Sequence, residues 1–163
     1  MCRFTSRYFG ELNYRPDEEM LTFPRGLAGF ENNHSWLLIS GKDEGIRWLQ
    51  NIEDPALVLP VTAPDAVEAG YAARISDDDL QALGVSGDNA SLAMLVVLTI
   101  PRDAPWNTTA NLRAPILVNA GTRQAIQVIA LDEKYSVRHP VLSRSGRRLN
   151  ARRAEKQKQA ANF

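Results

Sequence analysis

One cysteine, Cys2, and two histidines, His34 and His139, are all that this 163-residue chain holds of the side chains that build disulfides and zinc sites. A lone cysteine cannot close an internal disulfide, so a disulfide-stapled scaffold is excluded. The same scarcity excludes a zinc site made of four Cys or His ligands. Long apolar runs are missing as well. The longest, Leu92 to Ile100, is about half of what a membrane span needs. The opening residues, Met1-Cys2-Arg3-Phe4-Thr5, lack the apolar stretch of a signal peptide. These absences predict a soluble, cytoplasmic protein with no membrane contact, cofactor or metal. What is present is ordinary for a globular chain: 44% hydrophobic and 23% charged residues, enough to build a core without staples.

Net charge is zero only because two regions cancel. Residues 143–163 carry seven basic groups (Arg144, Arg147, Arg148, Arg152, Arg153, Lys156, Lys158) against Glu155, a charge of +6. The preceding 142 residues carry 12 basic and 18 acidic groups, a charge of −6. Leu149 and Phe163 are the only large apolar residues of the basic segment, too few for a wide hydrophobic face. The expected organisation is therefore a body over 1–142 and a basic, flexible or helical tail over 143–163. Such a tail is either a solvated appendage or an arm for an acidic partner.

The body reads as short strands separated by Gly, Pro, Asp and Asn. Arg3–Tyr8 alternates, with Phe4, Ser6 and Tyr8 on one side, as an edge strand would. Met20–Phe23 is stopped by Pro24. Ser35–Ser40 and Ile46–Ile52 flank a hairpin-length loop, Gly41–Gly45. Leu57–Thr62 follows, and Pro60 predicts an edge or a bulge there. One helix is signalled, with Ser76 as cap, Asp77-Asp78-Asp79 in the first turn and Gly84 as stop. Leu92–Ile100 is apolar on both alternating faces and so reads as a central strand. Ile116–Asn119 and Ala125–Leu131 flank a second hairpin. The expected fold is mainly β: a small antiparallel barrel or sandwich with one or two short helices.

Catalytic constellations are scarce. The chain has no GxSxG, phosphate loop, HExxH or GxGxxG. Cys2 and His139 would pair only if the termini met, with no third orienting group. His139 reads instead as a side chain hydrogen-bonded at the end of the last ordered segment. Consecutive helical positions point about 100° apart, so Asp77-Asp78-Asp79 do not converge on a cation. Glu53-Asp54-Pro55 is turn chemistry. Three segments look like recognition material. Thr22–Glu31 spaces Phe23 and Phe30 across a Pro/Gly-rich turn. Trp48-Leu49-Gln50 is read as setting a large aromatic and a polar side chain on opposite faces of a strand. Asn111-Leu112-Arg113-Ala114-Pro115 leads into the second hairpin. The residues by themselves predict a small β domain that binds rather than catalyses.

Five stretches also occur together in one known family. They are Tyr8-Phe9-Gly10-Glu11, the run Phe23–Glu31 (Phe-Pro-Arg-Gly-Leu-Ala-Gly-Phe-Glu), Trp48-Leu49-Gln50 with Asp54-Pro55, Asn111–Asn119 with Thr122-Arg123, and Tyr135-Ser136-Val137-Arg138-His139-Pro140. In content and order the chain closely resembles the FliW family of flagellar assembly factors over residues 8–140. The resemblance implies a small barrel-like domain without catalysis. It implies binding of flagellin or of CsrA, an RNA-binding translational repressor, so that flagellin draws the factor off CsrA and couples export to translation. The acidic body suits a repressor that must present a positive surface to RNA.

Expected protein-binding residues are the exposed members of these stretches: Phe30, Glu31, Gln50, Asn111, Arg113, Arg138 and His139. Phe23, Pro24, Gly26, Gly29, Trp48 and Pro115 are expected to shape the structure. A rival reading, from a different class, is a nucleic-acid-binding regulator acting through the basic tail, with the body as scaffold.

Overall fold

The computed structural model describes residues 1–41, 45–85 and 91–141. The basic segment 143–163 lies outside the described residues, as do Leu142 and the loop residues 42–44. Eleven strands and two short α-helices are found among the described residues. In chain order they are β1 (Cys2–Ser6), β2 (Gly10–Tyr14), α1 (Pro16–Glu19), β3 (Met20–Thr22), β4 (Ser35–Ser40) and β5 (Arg47–Asn51). They continue as β6 (Val58–Thr62), α2 (Asp77–Ala82), β7 (Leu92–Thr99), β8 (Thr109–Ala110), β9 (Ile116–Asn119), β10 (Gln124–Gln127) and β11 (His139–Pro140).

Seven of these strands close a ring in the order β7-β6-β5-β4-β3-β10-β9, with β9 returning to β7. The mainly β, barrel-like class read from the sequence is thus the class of the fold. All pairings in the ring are antiparallel except one, β3 with β10, joined at Thr22 and Gln124. The strand β7 explains its two-sided apolar sequence: it pairs with β6, β8 and β9. Its Leu95 points into the barrel with Leu21, Phe23, Trp36, Leu49, Val61, Ile116 and Ala125. Its Val96 and Leu98 face outward onto Ala110, Leu112, Ala130 and Tyr135. A third apolar layer, Leu117, Ile126 and Val128, lies outside β9 and β10 and is covered by Leu83, Val85 and Leu80 around α2. That helix starts where Ser76 Oγ accepts from Asp79 N at 3.2 Å and stops before Gly84 at φ 75°.

Three expectations are corrected. Strand β6 is flanked by β5 and β7 rather than lying at an edge. Its ladder to β7 contains only Val61 and Thr62. Pro60 is paired on the β5 side alone, opposite Trp48, so the missing N–H interrupts no bond. The second hairpin is regular only to Gln127. Beyond it the chain stays extended, with Val128 N donating to Pro115 O at 3.0 Å and Ala130 N to Arg113 O at 2.8 Å. Finally, Trp48 and Gln50 are two residues apart and share the outer face of β5, while Leu49 between them is buried in the barrel. The β1–β2 hairpin, a separate two-stranded sheet, packs on that outer face. Ser6 Oγ donates to Gln50 Oε1 at 2.5 Å, and the Phe9 ring meets Trp48 edge-on at 6.2 Å.

Candidate protein-binding face

Three segments outside the named strands, 129–131, 111–113 and 135–137, are joined to one another by backbone hydrogen bonds. Ala130 N donates to Arg113 O at 2.8 Å and Leu112 N to Ser136 O at 3.0 Å, so residues 111–113 run between the other two. Burial sorts their side chains. Ala130, Leu112 and Tyr135 point inward and share one buried cluster. Ile129, Leu131 and Val137 point outward, 62%, 54% and 55% exposed. Arg113, next in the chain to buried Leu112, is half-buried between the segments that carry them. Large exposed apolar side chains with arginines nearby are what the centres of protein interfaces are made of.

The support beneath the face is polar and fully paired. The Tyr71 hydroxyl donates to Leu112 O at 2.7 Å, and the Tyr135 hydroxyl accepts from Ala72 N at 2.9 Å. Burial, with Tyr135, Asp132 and Glu68 nearby, pushes the Tyr71 hydroxyl up to about 12. At the rim Asp132 accepts from Arg74 N at 2.7 Å and from Arg74 Nε at 2.9 Å, which holds its carboxyl below the ordinary 3.8. Lys134 Nζ lies 5.1 Å from the Tyr135 ring centre. Among the described residues Arg113 and Arg138 make no side-chain ion pair, so two cations of the face are open to a partner.

Four sequence-selected residues meet here. Asn111 holds the bend, its Oδ1 accepting from Ala114 N at 3.0 Å. Arg138 is exposed, and half-buried His139 pairs through its backbone with Ala110 on β11. The expected ring hydrogen bond of His139 is not among those the described residues make. Phe30 and Glu31 come near through a residue that sequence reasoning missed. Gln127 accepts from Ala28 N at 2.9 Å and donates to Ala114 O at 3.1 Å, stapling the Gly26–Phe30 loop to the Asn111–Pro115 segment. An amide side chain inside the apolar run Ala125–Leu131 was its only signal.

Exposure corrects the selection: only Glu31 and Arg138 are exposed, while Asn111, Arg113 and His139 are half-buried. Phe30 is half-buried and packs edge-on against Trp36 at 6.3 Å. Gln50 is completely buried, two strands away from the face. Glu31 is exposed, with its carboxylate accepting from Gly29 N at 3.2 Å. Among the shaping residues, Phe23 is a core side chain, Pro115 is buried, and Gly26 and Gly29 both have positive φ, 66° and 87°. Pro24 is exposed, and Trp48 is half-buried against Phe9 rather than in the core. Ile129, Leu131 and Val137 were not selected, because apolar residues in a strand-like run read as core.

No described helix is long and apolar enough to cross a membrane. The family model described as FliW protein matches residues 3–142. A flagellar assembly factor FliW of Pseudothermotoga lettingae is 40% identical over 132 residues, covering 81% of this chain and 83% of that one. Its counterpart in Lachnospira eligens is 37% identical over 140 residues, covering 83% and 91%. A crystal structure of the flagellar assembly factor FliW superposes with a TM-score of 0.77 at 27% identity, over 86% of this chain and 97% of that one. The barrel, the order of its motifs and these likenesses agree: the chain belongs to the FliW family of flagellar assembly factors.

Proposed function

We propose that the chain acts in the cytoplasm as a non-catalytic binding protein that takes up flagellin, the repressor CsrA, or both, and thereby couples flagellin level to flagellin translation. The observation that carries this reading is the exposure of Ile129, Leu131 and Val137 on the two segments bonded to either side of the one that holds Arg113. A face of this composition loses free energy when it is covered, because apolar area leaves water and the arginine gains acceptors. The two open cations of the face favour acidic groups on the partner, while the acidic body speeds encounter with a positive one. Asn111, Arg138 and His139 frame the contact, and Glu31 extends it.

Size-exclusion chromatography of the protein mixed with flagellin, with CsrA and with RNA tests the proposal. Co-elution with either protein, weakened in Arg113→Ala, is the expected result. Co-elution with RNA alone, lost on deletion of residues 143–163, would replace it by the nucleic-acid reading that the +6 segment supports.

A further inference from the structure

A second surface uses the two motifs that the face leaves idle, Tyr8-Phe9-Gly10-Glu11 and Trp48-Leu49-Gln50. A groove of about 460 Å3 runs between the β1–β2 hairpin and the outer side of β5, β6 and β7, within the roughly 300–1,000 Å3 of ordinary ligand sites. Trp48, Pro60, Leu98 and Ile100 make its apolar lining, Tyr8 overhangs it, and Arg102 is its one charged residue.

The position of Tyr8 is built rather than incidental. Gly10, at φ 71°, turns the hairpin. The Ser6 hydroxyl, itself bonded to buried Gln50, accepts from both Tyr8 N and Phe9 N at 3.1 Å. Phe9 then packs on Trp48, and its neighbour Tyr8 is left 66% exposed at the mouth of the groove. A tyrosine whose backbone is held by this network and whose ring is open to water offers a two-torsion aromatic surface to something else. Across from it Arg102 makes no ion pair or side-chain hydrogen bond with any described residue. The walls are the outer faces of strands, with Trp48, Pro60 and Ile100 half-buried and Leu98 buried, and so suit a side chain presented by another polypeptide.

We propose that this groove is a second docking site, which takes a segment of a partner protein carrying a large apolar side chain next to an aspartate or glutamate. The apolar group enters between Tyr8 and Trp48, and the carboxylate is held by Arg102. The proposal goes beyond the flagellar reading and does not depend on it.

Random peptides displayed on phage, panned on the full-length protein, test it. Selected peptides should pair a large apolar residue with Asp or Glu. The affinity of a synthesised binder should fall by about tenfold or more in Arg102→Glu and in Tyr8→Ala, stay near the parent's in Arg102→Lys, and be unchanged in Arg113→Ala. Tyr8 and Arg102 are both exposed, so thermal melts of these variants should match the parent. Failure to enrich any peptide, binders without a carboxylate, or equal binding to Arg102→Glu would overturn the proposal. Self-association of the chain that Arg102→Glu abolishes would overturn it too, by making a second copy the occupant. Peptide binding without capture of flagellin or CsrA would leave the groove standing and sink the flagellar reading. Capture of those proteins without peptide binding would do the reverse.

Discussion

Ser6 and Gln50 are 44 positions apart in the chain and joined by a hydrogen bond of 2.5 Å in a fully buried setting. Gln50 Nε2 donates in turn to the carbonyls of Asn51 at 2.8 Å and of Pro55 and Leu57 at 3.3 Å. One amide thus closes the Asn51–Leu57 turn and anchors the first hairpin. Gln50→Leu fits the volume but takes the acceptor from the buried Ser6 hydroxyl and the side-chain donor from Asn51 O, while Pro55 O and Leu57 O keep the backbone donors Arg7 N and Asn51 N. Each buried group so orphaned costs about 1–3 kcal/mol. The variant should lose at least about 2 kcal/mol in urea titrations, and an unchanged midpoint would refute this account.

Gly26 and Gly29 separate two costs that are often confused. Both have positive φ, but a Cβ on Gly26 would sit 2.6 Å from Glu31 Cα and from the carbonyl oxygens of Phe30 and Glu31, whereas at Gly29 it meets nothing within 4 Å. Gly29→Ala should therefore cost only backbone strain, about 1 kcal/mol. Gly26→Ala must displace main chain and should cost clearly more. Equal melting temperatures for the two variants would show that the loop relaxes freely.

Arg113 and Phe30, both selected from the sequence as contact residues, should respond in opposite ways. Arg113→Ala removes a half-buried side chain that makes no ion pair with any described residue: partner binding should weaken by about tenfold or more, with the melting temperature little changed. Phe30→Ala removes a ring packed on Trp36 and should lower stability by about 1–3 kcal/mol. Binding isotherms and thermal melts on the same two proteins decide the matter.

Glu53 should contribute to the acid sensitivity of the fold. Its carboxylate accepts from Ser35 N at 2.8 Å and His34 N at 2.5 Å. These bonds, Ser35's first, hold its pKa below the ordinary 4.5 despite some desolvation. A depressed folded-state pKa means that the unfolded chain takes up the proton first. The stabilisation is therefore complete above about pH 4.5 and is lost as pH falls through the lower folded-state value. Glu53→Gln should be less stable than the parent at pH 7, with the gap closing on acidification. Parallel urea curves of parent and variant from neutral to strongly acid pH would measure it, and a constant gap would exclude the linkage.

Features encoded by neighbours in the chain were readable from the sequence. Ser76, the three aspartates and Gly84 define α2 by local capping, and the two-sided apolar pattern of Leu92–Ile100 announces a strand covered on both faces. What failed depended on distant partners. Gln50 looks like a surface residue until Ser6 covers it, and Phe30 looks free until Trp36 is beside it. Ile129 and Leu131 fall in an apolar run whose outer edge receives no covering element among the described residues, which no local pattern reveals. Pro60 was misjudged because the rule concerns one missing bond, and the ladder to β7 begins one residue later.

The single parallel pairing, Thr22 with Gln124, has a consequence for biosynthesis. Strand β3 is among the first to leave the ribosome, and its second neighbour in the ring is not made until most of the body has been translated. Until then β3 presents an open edge, the sort of edge that recruits other strands, and β7 does so until β9 is made. Closure must wait for the slow, long-range step characteristic of high contact order. A chain stalled before residue 124 can assemble the β3-β4-β5-β6-β7 meander but not the ring, and should be the species that aggregates or is degraded.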